Sequence, residues 1–229
     1  MKHKNNATSH KAEDYDENVI NTIPHYKSFH QETINLIKSM GFEPEIWLDT
    51  GCGTGNLAKK AMEEFRNAKF LLTDPSEGML KQAQKKLSPA KIGRIEFLKP
   101  LPTQKLKELE EKPDIITAIQ CHHYLSKEDR KKVVCMCYKL LKEGGVFITF
   151  ENIRPFTEKG IEIGKKYWEN FQLSCGRNPE EIKEHLKRFD QEYFPITIEE
   201  HLKLLRETGF SSVELLWFTY MQAGFYCIK

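Results

Sequence analysis

Apolar and polar positions change their period several times along the chain, and each change marks an element. Residues 1–14 are polar and follow no period, which predicts a mobile leader. From Val19 to Met40 apolar residues return at helical spacing, interrupted at Pro24, and Ile34, Leu36, Ile37 and Met40 give the second part an apolar stripe. Ile46 to Leu48 then form a short apolar run that stops in glycines, the signature of a buried strand, and Asn56 to Phe65 return to helix. The alternation repeats. "AKFLLTDP" predicts a strand ending at Asp74, Ser76 caps a helix to about Leu87, and "RIEFL" and "PDIITAIQ" read as a third and a fourth strand. A helix follows from about Lys127 to Leu141, and "KEGGVFITFE" is a fifth strand, with Gly144 placed to end the helix before it. From about Arg154 to Phe194 the pattern is helical, rich in charge and aromatics, and holds no strand signal. A last helix spans about Ile198 to Glu207, and "GFSSVELLWFTYMQAGFYCIK" reads as a hairpin.

Strands alternating with helices imply parallel βαβ units with right-handed crossovers, so the fold class is α/β. A length of 229 residues suits one domain, and 39% hydrophobic with 11% aromatic residues provides for a packed core. Lys and Arg number 35 against 33 Asp and Glu; a net charge of +2 argues against a long basic face that tracks phosphates. Direct nucleic-acid binding is therefore not expected. Six cysteines without a CxxC pair read as reduced thiols, which points to a cytoplasmic protein. No run of about 18 apolar residues occurs, and the first residues lack the apolar segment of a secretory signal, so no membrane association is expected.

Candidate chemistry gathers at the strand ends. Gly51, Gly53 and Gly55 lie between the first strand and its helix, where glycine permits a tight turn and lets backbone N–H groups approach a ligand. Asp74 follows Gly55 by 19 residues, the distance at which an acid binds ribose hydroxyls, although an acid there would also cap the turn at Pro75 and Ser76. Asp49 stands at the mouth of the first strand, placed for a cationic ligand group or for the loop backbone. His122 and His123 follow the fourth strand, where one of them suits a general base and both equally suit core packing. Adjacent histidines with no third ligand at usable spacing make a poor metal pair, so no metal is expected. Glu151 and Arg154 follow the fifth strand and are candidates for a polar substrate, or for ordinary surface charge. Tyr15, Tyr26, Tyr167, Trp168 and Trp217 supply a candidate aromatic lid; the alternative is that Trp168 and Trp217 pack the insert onto the sheet, which is the simpler role for Trp217. Cys121 reads as a small buried residue, and "EEIKEHLKRFDQE" as a solvated helix face.

Four blocks, "WLDTGCGTGNLAKKAMEEF", "FLLTDPSEGMLKQAQKKL", "PDIITAIQCHHYL" and "CYKLLKEGGVFITFE", occur in the order and at the spacing of class I S-adenosylmethionine-dependent methyltransferases, which this chain resembles over roughly residues 46–151. The resemblance implies a Rossmann-like, seven-stranded, mostly parallel sheet with helices on both faces and a C-terminal antiparallel hairpin. Residues 15–229 would then form one methyltransferase domain, with an N-terminal helical cover over 15–40 and a helical lid inserted after the fifth strand over 154–195. It implies S-adenosyl-L-methionine as cofactor and a small molecule as methyl acceptor; a monomer or homodimer is expected. Gly51, Cys52 and Gly53 would line the methionine moiety, Asp74 would grip the ribose, Pro75 and Met79 would stand beside the adenine, and Gln120 would face the sulfonium region; Asp49 is a further cofactor-binding candidate. One departure concerns the adenine: where many members carry an acid after the third strand, this chain has Lys99, Pro100 and Leu101. The N-terminal segment and the insert also look similar to carboxy-S-adenosylmethionine synthases of wobble-uridine modification. In that reading Tyr26 approaches the cofactor and Arg188 or Arg177 pairs with the extra carboxylate. The catalytic candidates are accordingly His123, His122 and Tyr26, and the substrate-binding candidates Tyr15, Glu151, Arg154, Trp168 and Arg188. A non-catalytic S-adenosyl-binding protein is the third reading, weighed against by the intact glycine turn, Asp74 and the histidines.

Overall fold

The computed structural model describes residues 8–87, 93–107 and 109–229. Helices α1 (Tyr15–Thr22) and α2 (Tyr26–Met40) precede the sheet and are separated at Pro24, where His25 adopts a left-handed backbone. The alternating part follows as β1 (Ile46–Asp49), α3 (Asn56–Glu64), β2 (Lys69–Leu72), α4 (Glu77–Leu87), β3 (Ile95–Phe97), β4 (Ile115–Ile119), α5 (Lys127–Leu140) and β5 (Val146–Asn152). Then come α6 (Glu158–Ser174), α7 (Pro179–Lys187), α8 (Ile198–Thr208), β6 (Ser212–Thr219) and β7 (Gln222–Ile228). Local chemistry sets several of these boundaries. The Ser126 hydroxyl accepts from the Asp129 N–H to open α5, and Thr197 and Glu200 form a reciprocal capping box at α8.

The seven strands lie in the order β3-β2-β1-β4-β5-β7-β6, with β1 to β5 parallel and β7 antiparallel between β5 and β6. The expected sheet and hairpin are both present. Strand order reverses between β1 and β4, so a crevice opens beyond their C-terminal ends, where open α/β sheets bind ligands. Both faces are covered, which is why β4 and β5 read as continuous apolar runs. Ile115, Ile119, Ile148 and Phe150 enter the core shared with α2, α3, α4 and α6, while Ile116, Ala118 and Phe147 enter the core shared with α5 and α8.

Two expected features differ in the structure. The leader expected over 1–14 lies outside the described residues for 1–7, and residues 8–14 fold back onto the domain. His10 Nε2 hydrogen-bonds Thr22 Oγ1 at 2.9 Å, and Ala12 is buried beside Gly78 of α4. Polar anchors hold this segment, so it leaves no apolar period to read. The insert is helical as expected but also carries an isolated β-bridge between Phe189 and Tyr193, formed where the chain turns back after α7. Insert and N-terminal helices meet at Trp168, which is fully buried and donates its indole N–H to the Thr22 carbonyl at 2.6 Å.

Candidate functional site

The glycine turn is built for close approach. A Cβ on Gly51 would stand 2.7 Å from Cys121 Sγ, so a side chain there would collide with the loop after β4. Gly55 has a φ of +82°, and a Cβ there would meet Leu87 at 2.9 Å; this glycine lets α3 pack on α4. Asp74 closes the turn: its carboxylate accepts from the Gly53 N–H at 3.0 Å and from the Ser76 N–H at 2.8 Å. Burial raises the Asp74 carboxyl above the usual range, and these two bonds oppose that rise. Asp74 therefore organises the glycine turn from the mouth of β2. Met79 is buried in the first turn of α4 and Pro75 is exposed beside it.

Asp49 differs from its neighbour. It is buried at the end of β1, and its Oδ1 has no hydrogen-bond partner among the described residues. Burial, with the charge of Asp74 adding to it, pushes its carboxyl up to about 7, against hydrogen bonds from Thr117 and the Gly51 backbone. An unpartnered buried carboxyl oxygen is a place for a cation. The cysteines here are not thiolates, because burial drives the Cys52 and Cys121 thiols well above their ordinary range.

The N-terminal helices close this end of the crevice. Asp16 accepts from Thr54 Oγ1 at 2.5 Å, Asn56 Nδ2 at 2.7 Å and Lys86 Nζ at 2.5 Å, which fastens α1 to α3 and α4. Tyr26 is buried at the start of α2, within hydrogen-bonding reach of Tyr15 and Asn56, and burial pushes its phenol to about 12. Named as a catalytic candidate, it is a neutral hydrogen-bonding group at neutral pH.

Beyond the ends of β4 and β5 lies a cavity lined by Tyr15, Gln120, Tyr124, Asn152, Arg188 and Tyr193, with Val19 and Ile23 on its apolar side. Gln120 has a φ of +56°, an uncommon conformation for a residue with a side chain, and its N–H is held by the Phe150 carbonyl at 2.7 Å. Of the expected site residues, Tyr15, Gln120 and Arg188 meet here. Arg177 does not line the cavity; it binds Gln172 and Glu181 instead.

The structure redirects five of the candidates. Glu151 is fully buried and does not line the cavity. It accepts from the His122 N–H at 3.2 Å, the His123 N–H at 2.9 Å, His123 Nδ1 at 2.8 Å and Thr149 Oγ1 at 2.7 Å. Burial favours its protonated form, but the His123 hydrogen bond and the surrounding imidazoles outweigh it and hold the carboxyl at about 2. His123 is thereby placed as the Nδ1–H tautomer, and its Nε2 lies 3.3 Å from Asn152 Nδ2. Both ring nitrogens are engaged by protein, so His123 is not offered to a substrate as a base. His122 stacks on Phe147 in the opposite core, and burial lowers its imidazole to about 4. Arg154 pairs with Asp190 at 2.6 Å and Glu158 at 3.3 Å on the surface, and Trp168 packs the insert.

Four contributors escaped the sequence. Asn152 lines the cavity and accepts through Oδ1 from Gln222 Nε2 at 3.3 Å. Tyr124 is delivered by the short 3-10 turn His122–Tyr124, which Glu151 anchors. His185 comes from the charged stretch read as a solvated face, and Tyr193 follows directly after it. Within that stretch, Ile182 and His185 are one helical turn apart and both buried, an apolar signal obscured by the flanking charges.

Known proteins place this geometry in context. Residues 48–147 match the sequence profile of the methyltransferase domain. A carboxy-S-adenosyl-L-methionine synthase of Staphylococcus epidermidis is 25% identical over 210 residues, covering 90% of this chain and 88% of that one. An uncharacterized methyltransferase of Geobacillus sp. is 25% identical over 205 residues, covering 87% of this chain and 86% of that one. Among solved structures, the plantazolicin methyltransferase in complex with a triazolic desmethyl analogue and SAH superposes with a TM-score of 0.70 at 16% identity, covering 95% of this chain and 89% of that one. At that identity the likeness establishes the fold. Among the described residues no helix is long and apolar enough to cross a membrane.

Proposed function

We propose that the chain, whose residues 48–147 match the methyltransferase domain, is an S-adenosylmethionine-dependent methyltransferase acting on a small-molecule acceptor. The observation that carries this reading is the Asp74 carboxylate clasping the Gly53 N–H at the C-terminal end of the sheet. The acid is at the ribose distance, and a cavity for a second molecule lies beyond the ends of β4 and β5. The unpartnered Asp49 oxygen fits the ammonium of the methionine moiety, the Gly51–Gly53 backbone its close passage, and Met79 with Pro75 the adenine. When bound, the sulfonium supplies an electrophilic methyl group whose transfer leaves S-adenosylhomocysteine. The protein contributes orientation and exclusion of water: α1 and α2 cover one side, and Tyr15, Tyr124 and Gln120 line up the acceptor beyond β4. No base is assigned, since both histidines after β4 are committed to the fold. The near-neutral charge supports a small acceptor over a nucleic acid. Six free thiols support a reducing, cytoplasmic setting, with the chain a monomer or homodimer.

A second reading, a carboxy-S-adenosylmethionine synthase-like enzyme, is favoured by the names of relatives that match most of this chain and by Arg188 in the cavity. Mass spectrometry of ligand retained by the native protein separates the two. S-adenosylmethionine or S-adenosylhomocysteine supports methyl transfer, and a carboxylated cofactor overturns it in favour of the synthase.

A further inference from the structure

Arg130 stands in the first turn of α5 with only 2% of its surface exposed. Burial lowers its guanidinium from the ordinary value, and Glu151 and Glu200 oppose this only through space, since among the described residues no carboxylate lies within ion-pair distance of it. Enclosing a charge in this way is costly, and an apolar side chain would fill the same volume without that cost. What the arginine adds is its fork of donors, and these reach backbone carbonyls. Nε donates to the His122 carbonyl at 3.3 Å, and Nη2 to the Leu125 carbonyl at 3.3 Å and to that of Phe194. His122 and Leu125 flank Tyr124, so the first two bonds hold the 3-10 turn after β4 at both ends. Phe194 lies directly after Tyr193, and its own N–H donates to the His123 carbonyl at 2.7 Å. Its backbone is thus bound on both sides while its ring is 41% exposed, so side-chain packing is not what fastens it. The two neighbours that these bonds fix meet in the cavity wall. The rings of Tyr124 and Tyr193 stand edge to face, with centroids 6.4 Å apart at 80°.

We propose that Arg130 is a positioning residue for this cavity: its guanidinium joins the end of the helical insert to the turn after β4 and so sets Tyr124 against Tyr193. It touches no ligand and acts through the two tyrosines. Glu151 holds the same turn from the sheet side, through the His122 and His123 N–H groups, but reaches nothing in the insert. The bridge to Phe194 therefore belongs to the arginine and the His123 carbonyl. A lysine would bring a point charge in place of the planar fork and would not span both segments in that geometry. That the cavity receives the methyl acceptor rests on the methyltransferase reading; the joint between insert and turn does not.

The test uses the full chain labelled with 3-fluorotyrosine, which puts a fluorine probe on each of its eight tyrosines. Tyr124→Phe and Tyr193→Phe assign the two signals of interest. In Arg130→Lys the Tyr124 and Tyr193 signals should shift or broaden together. Those of Tyr138, on the same helix against Phe210, and of Tyr226 on β7 should stay in place. The Phe194 amide should exchange with solvent at least about tenfold faster than in the parent. S-adenosylhomocysteine should bind within about threefold of the parent, because Arg130 contacts neither the glycine turn nor Asp74. Unmoved Tyr124 and Tyr193 signals would overturn the proposal. So would Tyr138 and Tyr226 signals that move as far, or a larger loss of ligand affinity, since either marks a general structural role. Where Arg130→Lys does not fold, exchange in the parent decides. With the joint in place the Leu125 and Phe194 amides open at one rate, and a Phe194 amide at least about tenfold faster than Leu125 overturns it. A parent that binds no S-adenosylhomocysteine would sink the methyltransferase reading, while the fluorine signals still decide the joint.

Discussion

If Asp49 holds the ammonium of the cofactor, as proposed, affinity should depend on pH with a sign opposite to the effect of Asp49 on stability. Its carboxyl stands at about 7 in the free protein, against 3.8 for the ordinary group. A raised folded value means the folded chain holds a proton that the unfolded chain has lost between pH 3.8 and 7. Stability therefore falls as pH rises through that window, by up to about 4 kcal/mol. In the proposed site the ammonium of a bound S-adenosyl ligand would pair with the ionised form. Affinity for S-adenosylhomocysteine should thus rise with pH and level off above 7, and be about tenfold weaker at pH 6 than at pH 8. Asp49→Asn keeps the shape and removes the charge. Its affinity should be weak and flat across this range, and without ligand it should melt higher than the parent at pH 8. Calorimetric titrations at pH 6, 7 and 8 and a melting curve supply both readings. A parent profile as flat as the variant's, or a variant less stable at pH 8, would refute the assignment of Asp49 as the ammonium partner.

Three further outcomes follow from the same geometry. Glu151→Ala strands two buried backbone N–H groups and a histidine, and should destabilise the domain by about 3–5 kcal/mol by denaturant titration, with Glu151→Gln milder. Because its folded value is depressed to about 2, the stability Glu151 provides is present above 4.5 and lost as pH falls through 2. Asp16→Ala should free α1, seen as faster proteolysis at residues 8–22, while global stability drops by only about 1 kcal/mol because the ion pair is partly exposed. Trp168→Phe removes the bond to the Thr22 carbonyl and should lower stability by about 1–3 kcal/mol in thermal melts, with insert and N-terminal helices loosening together.

The sheet was legible because strand and helix periods alternate with little interruption between Ile46 and Asn152, and glycines and caps mark the joints. The glycine turn and its two acids were legible for the same reason: strand ends face the crevice, so Asp49 and Asp74 have one place to go. The side chains after the strands were harder. Sequence places His122, His123 and Glu151 at the right end of the sheet but not on a side of it. A three-residue turn sends His122 into one core and Tyr124 into the cavity. Arg154 and Arg188 both looked like surface charge or ligand partners, and only packing decides: Arg154 finds Asp190 outside, while Arg188 turns inward over Tyr193. Tyr193 had no signal, because its place in the cavity wall is set only once the chain after α7 meets the ends of β4 and β5.

The Asp74-clasped glycine turn is the proposed seat of an S-adenosyl ligand. Calorimetric titration of S-adenosylhomocysteine into the full chain and into Asp74→Ala tests it most directly. One-to-one binding by the parent and a loss of about tenfold or more in the variant are expected, the weight of a charged hydrogen bond. No binding by the parent, or a variant that binds equally well, would contradict it.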